Sequence, residues 1–268
     1  MSTAVLRIGD EGRAVTALQA ALLERGFNPG LVDGEFGGGT QAAVLAFQNS
    51  EGLLADGVAG PRTQAALGLV DSPELPDVSG QMTLQVASRM RPSTPIGNIK
   101  ASLPVVLDSL GQAGLGHRTM TLMAVATIRA ETESFLPVSE GLSRFNTSPA
   151  GHPFDLYDNR RDLGNRGSPD GERYRGRGFV QLTGRFNYAK YGPQLQSPLD
   201  LEQAPELANE TRVAADLLTA FLGARELQIK DALLNSNLQA ARRLVNGGLH
   251  GLDRFADAYR IGDSLLPK

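Results

Sequence analysis

The stretch "IRAETESFLPVSEGL", residues 128–142, places Glu131, Glu133 and Glu140 at the edge of an apolar run. Two carboxyl groups facing each other across a substrate can cleave an acetal such as a glycosidic bond. One protonates the leaving oxygen, and the other positions water or stabilises the cationic transition state. The proton donor has to stay protonated near neutral pH, which a carboxyl manages when it sits against apolar surface. Glu131 follows "TLMAVATIRA", where a buried helix meets a loop, and is the best placed for that role. Glu133 lies two residues on, points to a different side of any helix, and reads as structural. Glu140 follows "SFLPVS", whose Pro137 forces the chain out of helix, so it can fold back toward Glu131. The spacing permits this pairing without establishing it. An acidic cluster that is merely solvated at a helix end stays open.

The elements that must position these residues are mostly helical. "TLQVASRM" follows Thr83 as a cap, "IKASLPVVLDSLGQAG" ends in glycine, and "RTMTLMAVATIRAET" is strongly apolar. From 136 to 175 the chain turns to Gly, Pro, Asn, Asp and Arg without a period. A long irregular insertion inside a compact domain tends to be functional. Helical patterning resumes in "PELANETRVAADLLTAFLGAREL" and "NLQAARRLVNGG".

The first seventy residues carry an internal repeat. "LVDGEFGGGTQAA" (31–43) aligns with "LADGVAGPRTQAA" (54–66), with eight of thirteen positions identical. Each copy reads as an Asp-Gly turn, a Thr that caps a helix, then small and apolar residues. Val15, Leu18 and Leu22 share one helical face, as do Ala43, Val44 and Phe47, and Gly26 ends the first helix. "VDSPELPDVSG", residues 70–80, has the composition of a linker. The expected organisation is a three-helix domain at 1–69, a linker at 70–81, and a larger helical domain at 82–268.

Composition excludes several classes of activity. The chain has 268 residues, no cysteine, three histidines and a formal charge of −3, so disulfides, thiolate metal sites and a Cys nucleophile are out. His117, His152 and His250 have no metal-ligand spacing, and no metal or organic cofactor is expected. The charge gives no reason to expect nucleic acid, although "NRRDLGNRG" and "RYRGRGF" could make one face basic. No run is long and apolar enough for membrane insertion, and "MSTAVLRIGDEGRAV" lacks the pattern of a signal peptide. The expectation is a monomer made in the cytoplasm that reaches its substrate by another route.

At this point the sequence resembles two families. "AETESFLPVSEGL" is similar to the segment bearing both catalytic glutamates in glycoside hydrolase family 19, the chitinase-like group that includes phage endolysins. "YDNRRDLGNRGSPDGERYRGRGFVQLTGRFNY" (157–188) and "RRLVNGGLHGLDR" (242–254) resemble two further motifs of that family, in the same order. "GDEGRAVTALQAALLERGF", "VDGEFGGGTQAAVLAFQ" and "ADGVAGPRTQAAL" resemble the peptidoglycan-binding domain 1 family. The resemblance implies a mostly α protein, in which a small three-helix wall-binding domain precedes a lysozyme-like helical domain with a long irregular insertion. It implies an endolysin whose partner is bacterial peptidoglycan, reaching the wall after holin-mediated release. The bond cut would be the β-1,4 link between N-acetylmuramic acid and N-acetylglucosamine. A chitinase, a lytic transglycosylase and an inactive wall-binding protein are the alternatives.

Residue by residue, the resemblance implies Glu131 as general acid and Glu140 as second carboxylate. Gln181, Thr183, Asn187 and Asn246 match positions that contact sugar or hold water, while Tyr174 stacks on a sugar face or packs in the core. Arg177 and Arg175 hold acidic residues or form a solvated basic loop. In the small domain, Asp33, Phe36, Thr40, Asp56 and Thr63 match the repeat core, where a structural role outweighs direct wall contact. Two departures stand out: Ala130 replaces a frequent His, and Gly141 a frequent Asn. Both bear on the water geometry around Glu140. The family is generally inverting, which calls for carboxyls about 6.5–9.5 Å apart.

Overall fold

The structure is a computed structural model that describes residues 4–71 and 77–267; the middle of the expected linker, 72–76, lies outside the described residues. Thirteen α-helices follow one another among the described residues: α1 Arg13–Glu24, α2 Gly38–Ser50, α3 Pro61–Ala66, α4 Leu84–Met90, α5 Ile96–Gln112, α6 Arg118–Glu131, α7 Asp155–Asp158, α8 Asp170–Arg173, α9 Arg185–Tyr191, α10 Thr211–Gly223, α11 Glu226–Leu234, α12 Leu238–Asn246 and α13 Leu252–Leu265. Among the described residues, β-pairing is limited to isolated bridges. The chain divides into two compact units, one of Met1–Leu75 with Arg225–Gly248, the other of Pro76–Ala224 with Leu249–Lys268.

In the first unit Val15, Leu18 and Leu22 of α1 bury against Val44 and Phe47 of α2, with Phe36, Leu53 and Ala59 filling the remaining core. Gly26 adopts a left-handed φ of 85°, and the Phe27 N–H returns to the Leu22 carbonyl at 2.9 Å, which closes α1 as expected. The repeat is built on two matching clamps. Gln19 Nε2 donates to Asp33 Oδ1, the Glu35 carbonyl and Thr40 Oγ1, while its Oε1 accepts the Gly34 N–H. Gln48 makes the same four bonds to Asp56, the Val58 carbonyl, Thr63 and the Gly57 N–H.

These clamps correct two expectations. Thr40 and Thr63 do not cap helices: Gly37 and Gly60 hold the N-cap positions, and both threonines are buried with their hydroxyls turned to the glutamines. Phe36, 2% exposed, is core and offers no face to a wall ligand.

The unit boundary also differs from the expected one, since Arg225–Gly248 groups with the N-terminal residues. The reason is a set of contacts from α11 to the second repeat. Asp231 pairs with Arg62 Nε at 2.8 Å and accepts the Leu54 N–H at 2.9 Å. Asn235 lies so close to Gly60 that a Cβ there would fall 1.7 Å from its Oδ1. Burial pushes the Asp231 carboxyl up to about 6, against the pull of the Leu54 N–H and Arg62.

In the second unit α6 is the central helix, buried continuously from Thr119 to Ile128 and packed by α13 and α10. Gly262 lets α13 close on it, because a Cβ there would lie 2.5 Å from Leu122 and 2.8 Å from the Met90 sulfur. The exit from α6 is pinned by Arg91, which is 1% exposed. Its Nη2 donates to the Thr132 carbonyl at 2.7 Å and the Glu133 carbonyl at 3.1 Å, and its guanidinium lies over the Phe135 ring. Burial pulls that guanidinium down to about 9. Thr83 caps α4 through the Val86 N–H, as expected.

Candidate active site

Glu131 is the last residue of α6, one position beyond the buried Ala130, and is itself half-buried. The chain leaves the helix at Thr132 and turns at Phe135, whose φ is 55°. It then runs as an extended segment beside residues 176–178: the Glu140 N–H donates to the Gly176 carbonyl at 2.7 Å and the Gly178 N–H to the Val138 carbonyl at 3.1 Å. Pro137 therefore sits where the helix has already ended.

The "RGRGFVQLT" motif supplies the other wall. Arg177 and Leu182 form an antiparallel bridge, and the turn between them carries Gly178 at φ 78° and Gln181 at φ 51°. A left-handed glutamine costs on the order of 1–3 kcal/mol and persists only where its surroundings hold it. Gln181 Nε2 is held by the Val138 and Gly178 carbonyls at 2.9 and 3.1 Å, and Thr183 Oγ1 donates to the Gln181 carbonyl at 2.8 Å.

These constraints bring three oxygens around the Cα of Gly176. A Cβ built on Gly176 would lie 2.9 Å from Gln181 Oε1, 3.2 Å from Glu140 Oε2 and 3.2 Å from Thr183 Oγ1. A side chain at 176 would therefore crowd all three, and glycine is the residue that fits. The same glycine donates its N–H to Glu140 Oε2 at 3.2 Å, so the carboxylate is held in place beside Gln181 and Thr183. On the other side, Asn146 Nδ2 and the Tyr157 hydroxyl each donate to Glu140 Oε1 at 2.9 Å. Burial and the neighbouring Glu140 charge push the Tyr157 phenol up to about 12.

The structure thus brings Glu140, Gln181 and Thr183 together. Asn187 is adjacent through its amide, which donates to the Thr183 carbonyl at 2.8 Å. Other candidates are placed elsewhere. Tyr174 is 1% exposed, packs on Tyr188 and donates to the Glu202 carbonyl, so it is core and cannot stack on a sugar. Arg177 is 5% exposed and spends Nη1 on the Arg173 and Arg175 carbonyls and the Tyr188 hydroxyl, which ties the motif together from inside. Arg175 lies over the Phe154 ring and donates to the Glu172 carbonyl rather than to an acidic side chain. Asn246 is the last residue of α12, ahead of the left-handed Gly247. Glu133 is exposed and paired with Arg254 at 2.8 Å, which holds its carboxyl below the usual range. Asn146, Tyr157 and Gly176 have no counterpart in the expected set, because nothing in an aperiodic insertion says which side chains turn inward.

Comparison with known proteins adds family context. Residues 11–67 match the model of the family described as "Putative peptidoglycan binding domain". The chain is 35% identical over 105 residues to a glycosyl hydrolase family 19 domain-containing protein of Haemophilus influenzae, covering 39% of this chain and 48% of that one. It is 44% identical over 66 residues to the spore cortex-lytic enzyme of Bacillus cereus, covering 25% and 26% of the two chains. The chain joins a peptidoglycan-binding-type module to a family 19-like region. It spans less than half the length of these curated relatives. Among solved structures, a bacterial family 19 chitinase aligns over 69% of this chain and 94% of its own, at 21% identity and a TM-score of 0.48.

Proposed function

We propose that this protein is an endolysin-like peptidoglycan hydrolase that cuts the β-1,4 bond between N-acetylmuramic acid and N-acetylglucosamine. The observation that carries the reading is the meeting of Glu140 Oε2, Gln181 Oε1 and Thr183 Oγ1 around the bare Cα of Gly176, where a side chain would crowd all three. In this mechanism a water bound beside Glu140 Oε2 gives that oxygen its proton and is oriented by Gln181 and Thr183. It attacks the anomeric carbon while Glu131, at the end of an apolar helix, protonates the departing oxygen. Bond making and bond breaking then need no metal or organic cofactor. The N-terminal module, similar to peptidoglycan-binding domains, keeps the enzyme at the wall and raises its local concentration there.

Digestion of purified peptidoglycan by the wild type, Glu131→Gln and Glu140→Gln tests this reading, with new ends identified by mass spectrometry. Reducing N-acetylmuramic acid ends that fall by about 10²–10⁴-fold in both variants are the expected result. Anhydro-muramic ends that persist in Glu140→Gln would make the enzyme a transglycosylase. Cleavage of chitin strands in preference to peptidoglycan would reassign the substrate.

A further inference from the structure

The two oxygens of Glu140 are treated differently by the fold. Oε1 accepts two side-chain donors, Asn146 Nδ2 and the Tyr157 hydroxyl, both at 2.9 Å. Oε2 accepts the Gly176 N–H and lies on the side of Gly176 that Gln181 Oε1 and Thr183 Oγ1 also face. The terminal torsion of a glutamate is broad, so an unrestrained carboxylate would swing between orientations and exchange its oxygens.

We propose that Asn146 and Tyr157 act as a clamp that saturates Oε1 of Glu140 and so assigns water activation to Oε2. The proposal rests on the reading of Glu140 as the water-activating carboxylate. Asn146 is fully buried, and its hydrogen bonds fix which way its amide faces. Its Oδ1 accepts the Ser143 N–H at 2.8 Å and the Thr147 hydroxyl at 2.9 Å, while its Nδ2 serves both Glu140 Oε1 and the Gly141 carbonyl at 2.9 Å. A flipped amide would set oxygen against oxygen on Glu140 and Gly141, and nitrogen against the Ser143 N–H.

Tyr157 comes from α7, which is tied to the Asn146 turn by the Leu156 N–H on the Asn146 carbonyl at 3.2 Å. Its ring packs 6.3 Å from Phe154, and Asn165 Nδ2 holds its carbonyl at 2.8 Å. The hydroxyl has one donor hydrogen, and Glu140 receives it. Two donors from separate parts of the irregular insertion thus meet on one oxygen, which gives residues 141–165 a task beyond closing the fold. Neither residue touches the water site, so both are positioning residues.

The test separates positioning from folding through kcat, KM and melting temperature on soluble peptidoglycan strands. Tyr157→Phe keeps the ring and removes the donor. Asn146→Asp keeps the two accepted bonds and replaces the donor by an oxygen. The expected result is a fall in kcat of about 10-fold for Tyr157→Phe with KM and melting temperature unchanged, and of about 100-fold for Asn146→Asp with KM unchanged, read well below the lowered melting temperature that its buried carboxylate brings, since small misplacements of reacting groups cost that much. Full kcat in Tyr157→Phe beside an inactive Glu140→Gln would overturn the clamp alone. A loss in Tyr157→Phe that follows KM or melting temperature would also overturn it, in favour of a structural role. Full activity in Glu140→Gln would overturn the reading of Glu140 and the clamp with it.

Discussion

The Gln19 and Gln48 clamps and the Gly176 cluster are all polar networks built around a turn glycine and a glutamine, yet they end differently. In the clamps every polar atom of the glutamine meets a donor or acceptor of the same module, at 2.9–3.1 Å. Gly34 and Gly57 are there for their left-handed φ of 82° and 72°. Around Gly176 the amide of Gln181 is spent on carbonyls, but its oxygen lies with those of Glu140 and Thr183 around the bare Cα of Gly176, each within 3.2 Å of where a Cβ would fall. A network closed on itself stabilises a turn. The oxygens around Gly176 are the ones to which the proposed mechanism gives a chemical task.

The largest expected effect comes from crowding the Gly176 cluster. Gly176→Ala puts a methyl group within 3.2 Å of all three oxygens and forces them apart. Hydrolysis should fall about 100-fold or more, as expected for blocked acid–base chemistry, and circular dichroism should report an unchanged fold. Wild-type turnover in this variant would refute the idea that these three oxygens act together.

Opening the closed networks should show the opposite split. Gln19→Ala and Gln48→Ala each leave buried partners unsatisfied, among them the Gly34 or Gly57 N–H. Each should cost about 1–3 kcal/mol in denaturant unfolding, with turnover on short soluble strands retained. A loss of turnover at unchanged stability would dissolve the distinction between the two kinds of network.

A smaller effect separates the two repeats themselves. Asp33 in the first repeat is held below the usual carboxylate range by the Gln19 amide and the Glu35 N–H, so its contribution is present at neutral pH and lost as pH falls through its folded value. Asp231, packed on the second repeat, is pushed up to about 6 by burial. For a carboxyl raised in the folded state, the folded chain binds the proton more tightly. Acidification from pH 7 through 6 should therefore stabilise the unit, by on the order of 1–3 kcal/mol at full protonation. Melting curves at pH 7 and pH 5 check this, and Asp231→Asn should abolish the difference. A melting temperature that falls more in the wild type than in Asp231→Asn would show that the Arg62 pairing outweighs the burial.

Much of this was legible in the residues. The 3.6-residue spacing of Val15, Leu18 and Leu22, and of Ala43, Val44 and Phe47, identifies faces that do bury, and the 23-residue offset between repeats predicts matching turns. Gln181 and Thr183 stand in a motif of fixed order, so their meeting with Glu140 could be expected from the resemblance. The function of Thr40 and Thr63 was misread because a threonine after a turn fits a helix cap locally, while its actual partner is a glutamine 21 or 15 residues earlier. Tyr174 looked equally suited to a sugar face and a core, and no local signal tells the two apart.

The sequence by itself determined the helices, the repeat, the glycines at left-handed turns, and the carboxylates able to do acid–base work. Those are set by local sterics and by periodic burial, which a chain carries in its order. The tertiary structure alone decided that Asn146 and Tyr157 share one oxygen of Glu140, that three oxygens meet around the bare Cα of Gly176, and that Arg225–Gly248 groups with the second repeat. Each depends on side-chain direction in segments without a period, or on contacts between residues far apart in sequence, and neither is encoded by spacing.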